Sequence, residues 1–222
     1  MVGAGFDVID TANNHILDKG IEGIRNTLEV FEKYEDVVTV GTSLEEQEEY
    51  WGSIRFVEKN GIKIAFLAYT YGTNGMPAPK GLPFAVEQLN DEKRIELQLN
   101  YARARADAVI VLVHWGEEYS DVVSDEQKRL TELFYSNDVD VVIGSHPHVL
   151  QPKEIYKDKM LVYYSLGNFI SGQTRKQQIE AGTETGALAS LTIRKDAAGK
   201  VSVIDDELIL IKAQNPVTVI EK

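Results

Sequence analysis

The sequence predicts an α/β protein built on mixed sheets, and three observations carry that reading. Ala108–Val113 and Val141–Ile143 are short aliphatic runs bounded by polar or turn residues, the pattern of strands buried on both faces. Helical periodicity separates such runs: Ile21, Ile24, Leu28 and Phe31 share one face of a helix over about 21–33. Hairpin signals interrupt the alternation at Asn60-Gly61 and at Asp196–Gly199. Strands alternating with helices, then hairpins, give a mixed sheet or two packed sheets covered by helices.

In chain order, Gly5–Ala12 is a weaker strand that runs into Asn13-Asn14-His15. Asp18 lies just ahead of the first helix, placed to cap it or to orient an imidazole. A short strand follows near Val37–Val40, then the acidic run Glu45–Glu49, read as a solvated face. Ile54–Glu58 and Ile62–Ala68 are strands flanking Asn60-Gly61, and the second emerges into Tyr69–Gly75 and a proline-rich loop to Pro83. A long loop at a strand end suits substrate contact. Residues 86–106 read as a helix with Leu89, Leu97 and Tyr101 towards the core. Ser124-Asp-Glu-Gln127 has the form of a capping box for a helix to about Tyr135. Ile155–Tyr164 reads as two strands turning at Lys157–Lys159. Ser165-Leu-Gly-Asn-Phe169 then reads as a strand-end turn with a buried Phe169. The polar segment Ser171–Gly186 reads as a mobile loop, and Ala187–Ile193 with Val201–Ile211 as a hairpin.

The 222 residues, 43% hydrophobic and 26% charged, have the balance of one globular domain with a sizeable core. A net charge of -12 argues against a nucleic-acid partner. The same charge repels a polyanionic substrate unless a metal reverses the sign locally. The absence of cysteine excludes disulfides, thiolate ligands and a cysteine nucleophile. No apolar run approaches the roughly 20 residues of a membrane span, and no signal-peptide pattern opens the sequence. Met1–Gly5 leads almost at once into a strand, from which we expect a domain over 1–222 that lacks its N-terminal strand and carries an unpaired sheet edge.

All four histidines, His15, His114, His146 and His148, fall just past the end of an expected strand. Ligands in open α/β sheets bind outside the carboxyl ends of strands, and four unrelated core histidines would not share that position. Pro147 disfavours a helical His146, and in an extended segment residues two apart point to the same side. His146 and His148 are therefore expected to present two ring nitrogens to one metal or phosphate.

Read together, Asn13-Asn14-His15, the strand-end His114 and Gly144-Ser-His-Pro-His148 resemble the metal-binding blocks of the calcineurin-like metallophosphoesterases. More closely, the chain resembles the bacterial capsule-synthesis protein CapA family, associated with poly-γ-glutamate. Ala12–Asp18, Val113–Tyr119, Gly144–Pro152 and Tyr164–Phe169 are the matching stretches, in the family's order. The resemblance implies a four-layer αββα sandwich of mixed sheets with the site at the strand ends. It implies that Asn14, His114 and His146 bind one divalent ion and His148 a second, the ions being manganese, iron or zinc. His15 would be catalytic rather than a ligand, protonating the leaving group or steadying the transition state. Ser165, Gly167 and Asn168 match a block to which no chemical role attaches. The superfamily's first aspartate and the following acidic block have no counterpart before Gly5, and Asp10, inside a strand, does not replace them. The 222-residue chain is therefore expected to be weakly active by itself. The resemblance further implies the extracytoplasmic face of the bacterial membrane, an anionic polymer or phosphoester substrate, and capsule-synthesis membrane proteins or further copies as partners.

Three functional readings stand side by side. The first is a metal-dependent hydrolase acting on phosphoesters or a related acyl or amide bond. The second is a polymer-binding or export component that does no hydrolysis. The third is a mononuclear zinc site built from histidines alone. Ser145 lacks the surroundings of a nucleophile elbow.

Overall fold

A computed structural model describes residues 2–45, 51–173, 181–214 and 217–220, and divides into two compact units, Met1–His114 and Trp115–Lys222. Most of the acidic run at Glu45–Glu49 and residues 174–180 of the polar segment lie outside the described residues.

In Met1–His114, β1 (Val8–Asp10) pairs in parallel with β2 (Val38–Val40), with α1 (Gly20–Phe31) between them in sequence. The antiparallel hairpin of β3 (Arg55–Lys59) and β4 (Ile62–Thr70) turns at Asn60 and Gly61, whose φ angles of 53° and 73° are those the turn demands. After α2 (Glu92–Arg103), β5 (Ala108–His114) returns parallel to β4 and places His114 opposite Thr70. Mixed pairing of this kind is what the sequence predicted. Two apolar clusters hold the unit: Leu17, Ile24, Ala85 and Val86 under α1, and Ala12, Val40 and Ala68 beneath β2. A Cβ on Gly41 would fall 2.6 Å from that of Ala12, so glycine lets the end of β2 pass against the chain leading to Asn14.

Two local expectations in this unit are corrected. Helix α2 begins at Glu92 rather than near residue 86. Residues 86–88 are instead bridged into the neighbouring strand ends: Val86 pairs with Thr42 and Gln88 with Thr70, while Glu87 N–H donates to Gly41 and Leu89 N–H, in the turn that follows, to Thr70. Those donors are used up between the ends of β2 and β4, and the helix starts where Asp91 caps the Arg94 N–H at 3.0 Å. The buried face of α2 is Ile95, Leu99 and Ala102 with Arg94 and Gln98; Leu97 is exposed and Tyr101 is half-buried against Trp51. Asp18 does not cap α1, whose N-cap position is Lys19 with no side-chain bond.

In Trp115–Lys222, Ser124 and Gln127 close the expected capping box ahead of α3 (Asp125–Ser136), a feature worth about 1 kcal/mol. Strand β6 (Val141–Ser145) pairs in parallel with β8 (Met160–Tyr163), and β7 (Lys153–Tyr156) joins β8 antiparallel. Lys157 and Asp158, at φ 47° and 57°, make the expected turn between β7 and β8. A separate antiparallel sheet is formed by β9 (Thr185–Lys195), β10 (Val201–Lys212) and β11 (Thr218–Val219). Trp115, Leu130, Phe134, Val141, Val142, Met160 and Tyr163 are fully buried in this unit. Phe169, expected in the core, is 43% exposed.

Candidate functional site

In Met1–His114 the site grows from the end of β1. The Thr11 hydroxyl donates to the Val40 carbonyl at 2.8 Å and lies 2.7 Å from the Thr42 hydroxyl, tying this stretch to β2. The chain then breaks into a turn in which Asn13 Oδ1 accepts from the His15 N–H at 2.9 Å. That turn sends the two neighbours into opposite surroundings. Asn14 is 5% exposed, and its Oδ1 lies 2.9 Å from Nε2 of His114, the last residue of β5. Asn14 Nδ2 donates to Asn74 Oδ1 at 3.1 Å, which identifies Oδ1 as the atom facing the imidazole.

His15 faces solvent, its side chain 64% exposed, with Nδ1 held 2.8 Å from Asp18 Oδ2. Of the two roles the sequence left open for Asp18, orienting an imidazole is the one observed. Asp10, the last residue of β1, lines an open cleft of about 330 Å³ together with Asn13, His15 and Lys19. Burial of its carboxyl pushes the pKa up to about 7, against the opposing pull of the Ala12 N–H that it accepts at 2.8 Å.

In Trp115–Lys222 the two histidines at the end of β6 come near each other, with ring centroids 6.3 Å apart and planes tilted by 48°. The route differs from the extended one predicted. His146 has φ +95° and His148 φ +62°, so the chain coils through Pro147 in left-handed conformations that cost a non-glycine residue on the order of 1–3 kcal/mol. Such strain persists only where the surroundings hold it. Here Tyr119 N–H donates to the Pro147 carbonyl at 2.8 Å and its ring stacks on His148, centroids 5.8 Å apart. Trp115 N–H donates to the Ser145 carbonyl, and its indole Nε1 donates to the Tyr164 carbonyl at 2.8 Å.

The Ser165–Asn168 block, which had no assigned role, acts on His148. Asn168 Nδ2 donates to the Thr183 carbonyl at 3.0 Å and to Gln173 Oε1 at 3.2 Å, leaving Oδ1 as acceptor 2.9 Å from His148 Nδ1. His148 is thereby held as the Nδ1–H tautomer, with the lone pair on Nε2. The turn is braced by the Ser165 hydroxyl, which donates to the Val149 carbonyl and accepts from the Gly167 N–H. The glycine-asparagine pair after β8 marked this position in the sequence. Asn74 and the two tyrosines flanking His114 and His148 carried no periodicity or spacing that could have found them.

These donors suit a divalent metal. Asn14 Oδ1 and His114 Nε2 are hydrogen-bonded to each other at 2.9 Å; two ligand atoms each about 2.1 Å from an ion and at right angles lie ~3 Å apart, so an ion replacing the shared proton would need no change in their separation. Neutral imidazole with an amide oxygen is a donor set for manganese, iron or zinc. Among the described residues, no group of three or more histidine or carboxylate side chains stands ready-gathered around a metal position.

The fold and these motifs have counterparts among known proteins. A phosphatase from Mycoplasma pneumoniae superposes with a TM-score of 0.58 over 95% of this chain and 74% of its own, at 19% identity. That is a likeness of fold, an α/β arrangement of mixed sheets. The PGA biosynthesis protein CapA of Bacillus subtilis is 34% identical over 89% of this chain and 50% of its own length. The capsule biosynthesis protein CapA of Bacillus anthracis is 32% identical over 90% of this chain and 47% of its own. The chain thus spans about half the length of these curated relatives. The family model described as bacterial capsule synthesis protein PGA_cap matches residues 1–173, a span that includes Asn14, His114, His146, His148 and Asn168, and the chain belongs to that family.

Proposed function

We propose that this chain carries a metal-dependent, phosphoesterase-like hydrolytic site that serves capsule (poly-γ-glutamate) synthesis at the bacterial cell envelope. Asn14, His114, His146 and His148 are its metal-holding residues and His15 its proton donor. The observation that carries the reading is the 2.9 Å approach of Asn14 Oδ1 to His114 Nε2 at the end of β5. When bound, manganese, iron or zinc would supply Lewis-acid polarisation and a water acidic enough to attack near neutral pH. The chain's own residues do the rest. Asn14 and His114 present an oxygen and a nitrogen side by side, and His148 presents Nε2 because Asn168 occupies its Nδ1. Asp18 fixes the His15 ring through Nδ1, which leaves the exposed remainder of the ring to pass a proton to a departing oxygen or nitrogen. The substrate is an anionic polymer or phosphoester, which a net charge of -12 would otherwise repel. No helix of the described residues is long and apolar enough to cross a membrane.

The test measures bound metal by elemental analysis and turnover on a generic phosphodiester, in the parent and in single variants. His114→Ala and His148→Ala should lose metal, whereas His15→Gln should keep it and slow turnover by roughly 10²–10⁴-fold. Metal content unchanged by His114→Ala would overturn the site. Polymer binding with metal but without product release would support the non-catalytic reading instead. A single metal per chain that depends on histidines alone would support the mononuclear one.

A further inference from the structure

Resting on that reading of Asn14 and His114, we propose that Asn74 is a positioning residue that sets which end of the Asn14 amide faces His114. An asparagine amide has a hydrogen-bonding oxygen and a hydrogen-bonding nitrogen of nearly the same shape, and only the oxygen can serve a metal. Nothing in the Asn14 backbone decides between them. The decision falls to whichever group meets the other end of the amide, and that group is Asn74 Oδ1, 3.1 Å from Asn14 Nδ2. The same Oδ1 lies 3.4 Å from the Tyr71 hydroxyl, which donates to it. The Tyr71 hydroxyl, donating to Asn74, sets the Asn74 oxygen on this side; Asn14 then presents its nitrogen to that oxygen, and Asn14 Oδ1 is left towards His114 Nε2.

The loop carrying Asn74 is tied to the histidine that it serves. Tyr71 N–H donates to the His114 carbonyl at 2.9 Å, and the Tyr71 ring lies nearly parallel to the imidazole, at 13° with centroids 6.4 Å apart. Asn74 sits at φ +52°, a left-handed position that asparagine, aspartate and glycine tolerate and alanine does not. The Tyr71–Asn74 stretch therefore works as a clamp: its backbone and ring hold His114, and its asparagine orients Asn14.

The left-handed position allows clean variants. Asn74→Gly removes the acceptor without backbone strain, and Asn74→Asp keeps an acceptor oxygen in the same place. The first readout needs no metal: ¹H–¹⁵N NMR of the histidine side chains reports which ring nitrogen of His114 carries the proton. In the parent and in Asn74→Asp, His114 should be the Nε2–H tautomer, donating to Asn14. In Asn74→Gly the Asn14 amide is free to invert, and His114 should become a mixture of tautomers. The second readout is Mn²⁺ binding by titration calorimetry, where Asn74→Gly should lose the 10–100-fold typical of a lost orienting partner and Asn74→Asp should recover it. An Asn74→Gly variant with the parent's tautomer and affinity would overturn the proposal, as would an Asn74→Asp variant no better than Asn74→Gly. A parent that binds no Mn²⁺ sinks the metal reading alone, and the tautomer measurement then decides the role of Asn74.

Discussion

Replacing Glu87 by glutamine should unsettle the scaffold behind Asn14 and His114 without touching either residue. Glu87 and Arg94 are 2% and 4% exposed and form a two-point ion pair, Arg94 Nε to Oε2 at 2.8 Å and Nη2 to Oε1 at 2.7 Å. Oε1 also accepts from the Ser53 hydroxyl at 2.7 Å and from Gln98 Nε2 at 2.9 Å. All these neighbours are donors, so a glutamine in either orientation sets its own NH₂ against at least one of them. It also removes the carboxylate facing a buried guanidinium. Removing one member of a buried pair costs about 3–5 kcal/mol, a large part of the 5–15 kcal/mol by which domains are usually stable. The loss concentrates between the ends of β2 and β4, because Glu87 N–H donates to Gly41 and its carbonyl accepts from Thr70. Urea unfolding is the assay, followed through Trp51, which stacks on Tyr101 of α2 at 4.0 Å. A Glu87→Met, Arg94→Met double variant should recover part of the loss, because the guanidinium leaves with its partner, while Ser53 and Gln98 still lose their acceptor. A loss below about 1 kcal/mol in Glu87→Gln would refute the reasoning, because an ordinary neutral hydrogen bond is worth that much.

Three further outcomes are expected. Asn168→Ala should weaken metal binding by about 10–100-fold, because His148 loses the acceptor that fixes its tautomer; calorimetric titration with Mn²⁺ measures it. Gly144→Ala should destabilise at or beyond the about 1–3 kcal/mol of ordinary overpacking, since its Cβ would fall 1.9 Å from the Tyr164 carbonyl and 2.5 Å from the Trp115 indole nitrogen. Gly172→Ala, with nothing within 4 Å, is the control in the same denaturation experiment and should be neutral. For Asp10, the folded pKa of about 7 lies above its ordinary 3.8, so the native state holds the extra proton between those values. Its contribution therefore makes stability fall as pH rises through that window and level off above it, because the unfolded chain binds fewer protons there. Asp10→Asn should flatten that slope in denaturation midpoints taken across the window, and identical profiles would show that the carboxyl is not desolvated.

Much of the fold was legible in the sequence because its signals are local. Apolar run length located β5 and β6, Asn60-Gly61 marked a turn whose φ angles leave few alternatives, and Ser124 with Gln127 announced the start of α3. Where a distant partner supplied the hydrogen bonds, local signals misled. Residues 86–89 have helical composition, but Glu87 and Leu89 spend their amides on Gly41 and Thr70, which lie far away in sequence.

The same division runs through the candidate site. By itself the sequence determined which residue types stand at the strand ends, Asn14, His15, His114, His146 and His148, because strand periodicity and turn chemistry are properties of neighbouring residues. Only the tertiary structure decided what each can do. It buried Asn14 and left His15 in solvent, although the two are adjacent, and it coiled His146 and His148 through positive φ instead of extending them. It also chose the partners that fix amide and imidazole orientation: Asn74, 60 residues from Asn14, and Asn168, 20 residues from His148. Orientation of a side chain depends on whatever donor or acceptor packs against it, and that is a property of chain segments meeting in space.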